Sequence, residues 1–364
     1  MSDTTEYDDE LEKKEEALAA ADETDETPPA DIVAFNELRS CSDLKRLYDA
    51  GQLDVQPDYQ RDIVWQPSQQ TRFIDSLAKQ LPIPSMCISL DYKTEKRQIV
   101  DGLQRMSAII KFLSDGKWRL SNLQDIDKRI VNKTVEHIER ENPEIYSRVQ
   151  NTVIPVTVLR CDLSKRSHQE YLFTIFHRLN TGGMKLNNQE IRNCIYSGSF
   201  NDMLKDVVAS QDFVDLFDVN PERKYRFSNE ELILRILAFS DNFDNYKGPL
   251  SKHLNAYMAK FREKDEKTID AQRKIISDAV KFIYNTVLDG EPLPRLSKAT
   301  SEALFVGVIR NQQKLLASDK KQVKKSYKAL RSDPLFSIES LKEGLAAPDR
   351  VKSRLTRAVE IFSQ

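Results

Sequence analysis

The residues best suited to chemistry lie in one short stretch, Gln98–Met106, where an apolar segment is followed directly by Asp-Gly and a helical pattern. Asp101 places a carboxylate at the first exposed turn, and Gly102 permits close approach of the backbone to a ligand. A helix N-terminus presents unsatisfied N–H groups and partial positive charge, so it is a natural phosphate site. Arg105 adds a cation to the same turn, which is unfavourable unless an anion binds. The stretch therefore indicates a phosphate-binding turn.

The same residues have a second interpretation as a helix cap. Asp101 and Gln104 are three residues apart, which is the spacing of a capping box that satisfies the first N–H groups of a helix. Capping explains Asp101 and part of Gln104, but it does not explain Arg105. On the residues alone both interpretations stay open.

A second informative stretch, Phe176–Arg192, places basic residues on both sides of a glycine-rich loop. Its loop is typical of a helix end, and Asn187 with Glu190 has the spacing of a cap for the next helix. Capping requires neither the flanking arginines nor two adjacent glycines, which let backbone N–H groups face an anion. Arg178 and Arg192, which flank the loop, and the adjacent glycines Gly182 and Gly183 therefore favour an anionic ligand.

A third stretch, Tyr59–Arg61, lies in a segment that Pro57 keeps out of helical conformation. Arg61 has no obvious structural task in so short a loop. Arg61 and Asp101 both follow extended segments that can be neighbours in one small sheet. Arg61 can therefore lie close to the Asp-Gly turn.

The charge of the chain is unevenly distributed. The protein has 364 residues with 55 Lys+Arg and 57 Asp+Glu. Residues 1–30 hold twelve of the acidic residues against Lys13 and Lys14, which leaves 53 basic and 45 acidic residues in the body. The first 30 residues have no aliphatic periodicity, so we expect a disordered acidic tail. The mild basic excess of the body permits DNA binding without indicating it.

Composition also excludes several classes of protein. The four cysteines are widely spaced and the four histidines form no metal-binding pair, so neither a zinc site nor a disulfide framework is expected. The longest apolar runs are interrupted by charge within a few residues, and the N-terminal residues are not apolar. We expect a reduced, cytoplasmic protein without a membrane segment.

Hydrophobic spacing divides the chain into a mixed first part and a helical second part. The first part contains a helix that begins at Pro67, a hairpin of strands Met86–Asp91 and Arg97–Val100, and a later strand Val153–Leu159. Pro155 has no N–H to donate, so we predict that the later strand is bulged or lies at a sheet edge. The fold class predicted from these elements is α+β.

From about residue 223 onward the pattern is helical. Ser228 and Glu231 have the spacing of a capping box for the helix that contains Leu232. Further helices are predicted at about 250–262, 268–287, 297–316, 320–330 and 349–362. Lys320–Lys325 is a basic run with two interpretations, a solvated helix face or a nucleic-acid contact, and we favour the solvated face.

The informative stretches together resemble one known family. Tyr59–Arg61, Ile99–Arg105 and Phe176–Arg192 are similar, in this order, to the DGQQR-motif domain at the N-terminus of GmrSD-type restriction enzymes. The resemblance begins near Phe35 and extends through the helix at Leu232–Ala238 to about residue 258. Three ordered blocks over this length make it specific.

The resemblance implies a fold and a division of the chain. The expected core is a small ParB- and sulfiredoxin-like mixed sheet with helices, followed by an all-helical C-terminal subdomain. We accordingly predict a tail at 1–30, the DGQQR-type domain at 31–200 and the helical subdomain at 201–364. The motif positions are Asp101, Gly102, Gln104 and Arg105. Leu103 replaces the first glutamine of the motif, and we expect it to point into the core so that the polar site stays intact.

The resemblance also implies nucleotide binding and hydrolysis at the DGQQR turn. On this basis we predict Asp101, Gln104 and Arg105 as catalytic residues, with Asp101 also as metal ligand. The predicted nucleotide contacts are Arg61, Gly102, Arg178, Asn180, Gly182, Gly183 and Arg192. Our first hypothesis is a Mg²⁺-dependent NTPase of a restriction or phage-defence type, with an NTP as substrate or ligand. In the restriction enzymes this domain is joined to a His-Asn-His nuclease, and no such motif occurs in these 364 residues. The alternatives are a ParB-like DNA-binding or DNA-nicking module and a non-enzymatic regulatory subunit whose partner is a separate nuclease.

Overall fold

The computed structural model describes residues 28–55, 65–179, 187–220, 226–342 and 345–364, together with Leu11 and Lys14. The chain divides into two compact units. One comprises Glu26–Leu186, and the other comprises Met1–Asp25 with Asn187–Gln364. The first unit contains a sheet with helices and the second is helical, so the α+β class is confirmed.

The first unit, which we call the sheet unit, is built on five strands in the order β1-β5-β3-β4-β2. The strands are β1 Val33–Ser40, β2 Leu53–Asp54, β3 Met86–Asp91, β4 Arg97–Asp101 and β5 Val153–Cys161. Neighbours β1 and β5, and β3 and β4, are antiparallel, whereas β3 and β5, and β2 and β4, are parallel. The sheet is therefore mixed, as predicted.

The prediction that the strand at Val153–Leu159 lies at an edge is wrong. Strand β5 is interior and lies between β1 and β3. Pro155 lies opposite Leu38 of β1, and the pairing of β5 with β3 begins only at Val156. On the β3 side, the missing N–H therefore costs no ladder hydrogen bond. The edge strands are β1 and β2.

In its described ranges the sheet unit has six helices: α1 Cys41–Asp49, α2 Pro67–Ala78, α3 Leu103–Ser114, α4 Val135–Glu141, α5 Pro143–Asn151 and α6 Arg166–Leu179. Alternate residues of β5, Ile154, Val156 and Val158, are buried in one core cluster with apolar residues of the helices such as Ile74 and Phe112. This period of two identifies the buried face of the sheet. The helix predicted to begin at Pro67 does begin there.

The second unit, the helical unit, contains the remaining helices. They are α7 Asn188–Ile195, α8 Ser199–Ala209, α9 Gln211–Phe217, α10 Ser228–Asn242, α11 Leu250–Phe261, α12 Glu266–Phe282, α13 Lys298–Arg310, α14 Gln312–Leu316, α15 Lys320–Ser332, α16 Ile338–Lys342 and α17 Pro348–Phe362. The prediction that Ser228 and Glu231 cap α10 is wrong, because the cap position is Phe227 in left-handed conformation. Glu231 is instead drawn into an ion pair with Arg192, whose Nη1 lies 3.0 Å from its Oε2.

The predicted acidic tail lies largely outside the described residues, which include only Leu11, Lys14 and 28–30 of it. Leu11 and Lys14 are helical. Leu11 is only 4% exposed and is buried with Ala299, Leu341 and Leu345. Lys14 Nζ donates to the Lys342 carbonyl oxygen at 2.6 Å. At Leu11 and Lys14 the chain contacts described residues of the helical unit, and the disorder expected for the tail otherwise stays a prediction. No helix among the described residues has both the length and the apolarity needed to cross a membrane.

Candidate functional site

The Asp-Gly turn lies at the joint between β4 and α3. Asp101 is the last residue of β4, and Leu103 is the first residue of α3. Gly102 between them has a φ of +102°, a region that favours glycine. A Cβ atom at this position would lie 2.7 Å from Cγ of Met86 on β3, which is too close for any side chain. Both the backbone conformation and the packing therefore require glycine here.

The capping-box interpretation of this turn is not supported by the geometry. Gly102 is the N-cap residue, and among the described residues no side chain caps α3. The first intrahelical bond runs from the Met106 N–H to the Gly102 carbonyl oxygen at 2.9 Å. Asp101 lies one position too early to cap, and its carboxylate accepts instead from Arg105. Among the described residues, no side chain therefore competes with an anion for the first N–H groups of α3.

The guanidinium group of Arg105 bridges the turn and the loop before β3. Its Nη2 donates to Asp101 Oδ2 at 2.8 Å, and its Nη1 donates to the carbonyl oxygens of Pro84 and Ser85, the latter at 3.2 Å. The side chain is only 13% exposed. Nη2 also lies 3.3 Å from the position that a Cβ on Gly102 would occupy. Asp101 therefore supplies, at least in part, the negative charge that the sequence analysis expected beside Arg105.

Gln104 connects the turn to a second sequence stretch. Its Oε1 accepts a hydrogen bond from the backbone N–H of Trp65 at 3.3 Å. The Trp65 ring packs edge-on against Phe73 of α2 with 5.5 Å between ring centroids. Gln104 therefore holds the chain immediately after residues 56–64, the segment that contains Arg61. Arg61 itself lies outside the described residues.

Leu103 and Asp101, two further positions of the motif, differ in their contacts. Leu103 is partly buried and packs against the main core cluster, which confirms the prediction that this replacement points inward. Asp101 pairs in register with Cys87 of β3, and its side chain is 38% exposed. Burial, assisted by the Asp101 carboxylate, raises the pKa of the Cys87 thiol to about 12. Cys87 is therefore an inert packing residue and not a nucleophile.

A metal ion at this turn would have few protein ligands. No cluster of three or more His, Cys, Asp or Glu side chains suited to a metal occurs in the part of the chain that the structure describes. Asp101 is the exposed carboxylate at the turn. A Mg²⁺ ion commonly uses one or two carboxylates and completes its six ligands with waters and substrate phosphates. The donor set therefore fits Mg²⁺ only together with a bound polyphosphate.

The second stretch is described only at its two ends. Arg178 is exposed in the last turn of α6. Asn180, Gly182 and Gly183 lie outside the described residues. The predicted cap of the following helix is confirmed, because the Asn187 N–H donates to Glu190 Oε2 at 2.6 Å and the Glu190 N–H donates to Asn187 Oδ1 at 2.8 Å.

Arg192 is placed inside the helical unit. It is 1% exposed, with Nε donating to Asn255 Oδ1 at 2.9 Å and Nη1 donating to Gln189 Oε1 at 3.1 Å and Glu231 Oε2 at 3.0 Å. Desolvation lowers the pKa of the guanidinium from its usual value, although Glu231 opposes this effect. A side chain buried in this way has no path to a phosphate in solution. We therefore remove Arg192 from the predicted nucleotide contacts and assign it to packing.

Sequence reasoning missed the acceptors of Arg105. They are main-chain carbonyl groups of Pro84 and Ser85, and any residue type could have supplied them. The one available signal is the proline at 84, since proline keeps the preceding segment extended and leaves carbonyl groups outside regular pairing. Met86, which sets the space above Gly102, was likewise identified only as a strand residue.

One family model matches part of the chain. Residues 44–197 match the family model described as GmrSD restriction endonuclease, N-terminal domain. The matched range contains the Asp-Gly turn, Gln104 with its contact to Trp65, and the loop after α6. No curated protein and no solved structure matches the chain at a significant level.

Proposed function

We propose, from the premise that residues 44–197 are a domain of the GmrSD restriction endonuclease N-terminal family, that the protein acts in restriction or phage defence by binding and hydrolysing a nucleoside triphosphate. The phosphates bind at the Asp-Gly turn. The observation that carries this proposal is the start of α3, which no described side chain caps and beside which a guanidinium group lies.

The electrostatics of the turn favour a polyphosphate. The first N–H groups of α3 and its dipole present partial positive charge, and Gly102 lets a phosphate approach the backbone closely. Phosphoryl transfer needs chiefly positioned positive charge at the transition state. Asp101, 38% exposed, is the side chain at the turn that can orient water or contribute to a Mg²⁺ site. When bound, Mg²⁺ would supply neutralising charge to the phosphates.

The roles of the remaining side chains follow from their contacts. Arg105 orients the Asp101 carboxylate and leaves part of its own positive charge facing the turn. Gln104 holds the chain next to the Arg61 segment through its bond to Trp65. In this proposal Arg61 and Arg178 bind phosphate, an assignment that comes from the sequence. The loop residues Asn180, Gly182 and Gly183 contact the nucleotide on the same basis.

The proposal is tested with the full-length protein and the four ribonucleoside triphosphates, with and without Mg²⁺. We expect one or more of them to raise the melting temperature and to release phosphate in the presence of Mg²⁺. Asp101→Asn keeps the shape of the side chain but removes its charge, so we expect phosphate release to fall by about 10²-fold or more. A matched control is Asp115→Asn at the opposite end of α3, where the carboxylate only accepts from the Lys117 N–H.

The outcomes separate the alternatives. Nucleotide stabilisation without phosphate release would reduce the proposal to a nucleotide-binding regulatory subunit whose nuclease is a separate partner. If no nucleotide raises the melting temperature and none is hydrolysed, the phosphate site is refuted. An equal loss in the Asp115 variant would show that the effect of Asp101 is not specific to the turn.

A further inference from the structure

The helix α15 in the helical unit carries an unusual charge pattern. Its thirteen residues include no Asp or Glu and six basic residues. They are Lys320, Lys321, Lys324, Lys325, Lys328 and Arg331. One side of the helix is buried through Val323, Ser326 and Leu330. All six cations must therefore share the remaining surface of one short helix.

Three of these cations form a continuous exposed stripe. Lys320 and Lys324 both form ion pairs with Asp289, the first at 2.6 Å. By contrast Lys321, Lys325 and Lys328 are exposed, and none of them forms an ion pair with another residue of the described ranges. Their spacing of four and three residues places them on one face of the helix. We call Lys321, Lys325 and Lys328 the lysine stripe.

Several other cations of the helical unit form ion pairs with carboxylates. Lys260 pairs with Asp241 at 2.5 Å, Arg273 pairs with Asp206 at 3.1 Å, and Lys281 pairs with Asp212 at 3.5 Å. Each of these three cations thus lies beside a carboxylate, whereas no lysine of the stripe pairs with a carboxylate of the described residues.

Without a bound ligand, the lysine stripe destabilises helix α15 in the folded protein. Like charges four residues apart on a helix destabilise it by about 0.2–0.5 kcal/mol per pair, and Lys321–Lys325 is one such pair. Lys320 and Lys321 lie in the first turn, where the helix dipole is positive and disfavours cations. Asp319 reduces this cost only in part, as the cap that accepts from the Lys321 N–H at 3.1 Å. A bound polyanion would convert this repulsion into attraction.

We infer that the exposed face of α15 binds the phosphate backbone of duplex DNA. The helix rises about 1.5 Å per residue, so the stripe and Arg331 span about 15 Å, while one DNA strand places a phosphate about every 3.4 Å along its axis. Lysine contacts phosphates as a point charge, and phosphate contacts carry no sequence information. The surface therefore binds DNA without sequence preference, and it does not depend on the proposed nucleotide site.

The packing of α15 argues against a membrane as the partner. A basic helix binds an anionic membrane surface when its apolar side can enter the lipid. Here the apolar side is used within the protein, because Val323 and Leu330 are both 0% exposed and α15 contacts α17. Only the charged face remains for a partner, and a regular array of phosphates matches it.

The inference is tested by fluorescence anisotropy of the full-length protein with a short labelled duplex of random sequence, titrated at several salt concentrations. The test variant combines Lys321→Gln, Lys325→Gln and Lys328→Gln. Each lost phosphate contact removes about 0.9 from the slope of log affinity against log salt, so we expect the slope to flatten by about 3. At about 0.1 M salt this corresponds to a loss of affinity on the order of 10²-fold.

A matched control removes the same charge from another helix of the same unit. It combines Lys267→Gln, Lys274→Gln and Lys281→Gln, all on exposed positions of α12. We expect this control to change DNA affinity far less than the stripe variant. Thermal unfolding of both variants checks the fold, and the stripe variant should melt no earlier than wild type because lysine repulsion is relieved.

Several results would overturn the inference. The inference is wrong if the stripe variant binds DNA with wild-type affinity. It is also wrong if the α12 control loses as much DNA affinity as the stripe variant, since that would indicate an effect of net charge. Binding to phosphatidylserine vesicles that is lost in the stripe variant, with no DNA binding by wild type, would assign the surface to membranes. Should the triple variant fail to fold, Lys325→Glu alone is expected to weaken DNA binding measurably.

Discussion

Replacing Arg105 by alanine separates a structural role of this arginine from a purely ligand-binding role. The change removes the ion pair with Asp101 and the hydrogen bonds to the Pro84 and Ser85 carbonyl groups. Hydrogen bonds to a charged group contribute about 1.5–3 kcal/mol, and the partly exposed Asp101 pair adds at most about 1 kcal/mol. Because the acceptors face a side chain that is 13% exposed, they regain only part of their hydration. We expect a loss of about 2–4 kcal/mol in the free energy of unfolding.

The assay can follow the sheet unit alone. The protein has two tryptophans, Trp65 and Trp118, and both belong to the sheet unit, so urea unfolding monitored by tryptophan fluorescence reports on that unit. Arg105→Lys is the control for charge, because a single ammonium group cannot bridge three acceptors in the way that a guanidinium fork does. We expect Arg105→Lys to recover only a small part of the lost stability.

One result would refute this reasoning. If Arg105→Ala unfolds within about 0.5 kcal/mol of wild type, as surface substitutions usually do, the guanidinium does not support the turn. Loss of nucleotide-induced stabilisation in that variant would then report a direct phosphate contact. If both stability and nucleotide response fall, Asp101→Asn distinguishes the two roles, since it breaks the pair but leaves the carbonyl contacts of Arg105 in place.

Three further predictions follow from the same contacts. Gly102→Ala should cost about 2–4 kcal/mol by urea unfolding, because left-handed backbone and overlap with Met86 add; a neutral effect would contradict the geometry. Bonds from Lys165 and His168 lower the pKa of Asp31 to about 2, so their contribution to stability is present above about pH 4 and lost as the pH falls towards 2. Asp31→Asn should therefore destabilise the protein near neutral pH and converge with wild type near pH 2, whereas a constant difference would exclude this linkage. Leu11→Asp should speed tryptic cleavage within the first thirty residues, since Leu11 is buried; an unchanged rate would show that this contact does not hold the segment.

Local sequence was sufficient to predict these helices and strands and the turn that carries Asp101. The helix beginning at Pro67, the hairpin that leads to Asp101 and the cap at Asn187 are all present as predicted. Each depends on residues a few positions apart, through hydrophobic period, proline geometry or a side chain that reaches its own helix end. The inward position of Leu103 follows from the same helical period.

Tertiary structure alone decided what the charged side chains of the motif contact. Arg105 meets carbonyl groups about twenty residues earlier in the chain, and Arg192 is enclosed by Glu231 and Asn255 from other helices. The interior position of β5 likewise depended on β1, which is far away in sequence. A guanidinium group has the same composition and spacing in the sequence whether it faces a phosphate or a buried carboxylate. Only the fold determines which acceptors surround it, because desolvation and partner geometry are set by segments that are distant along the chain.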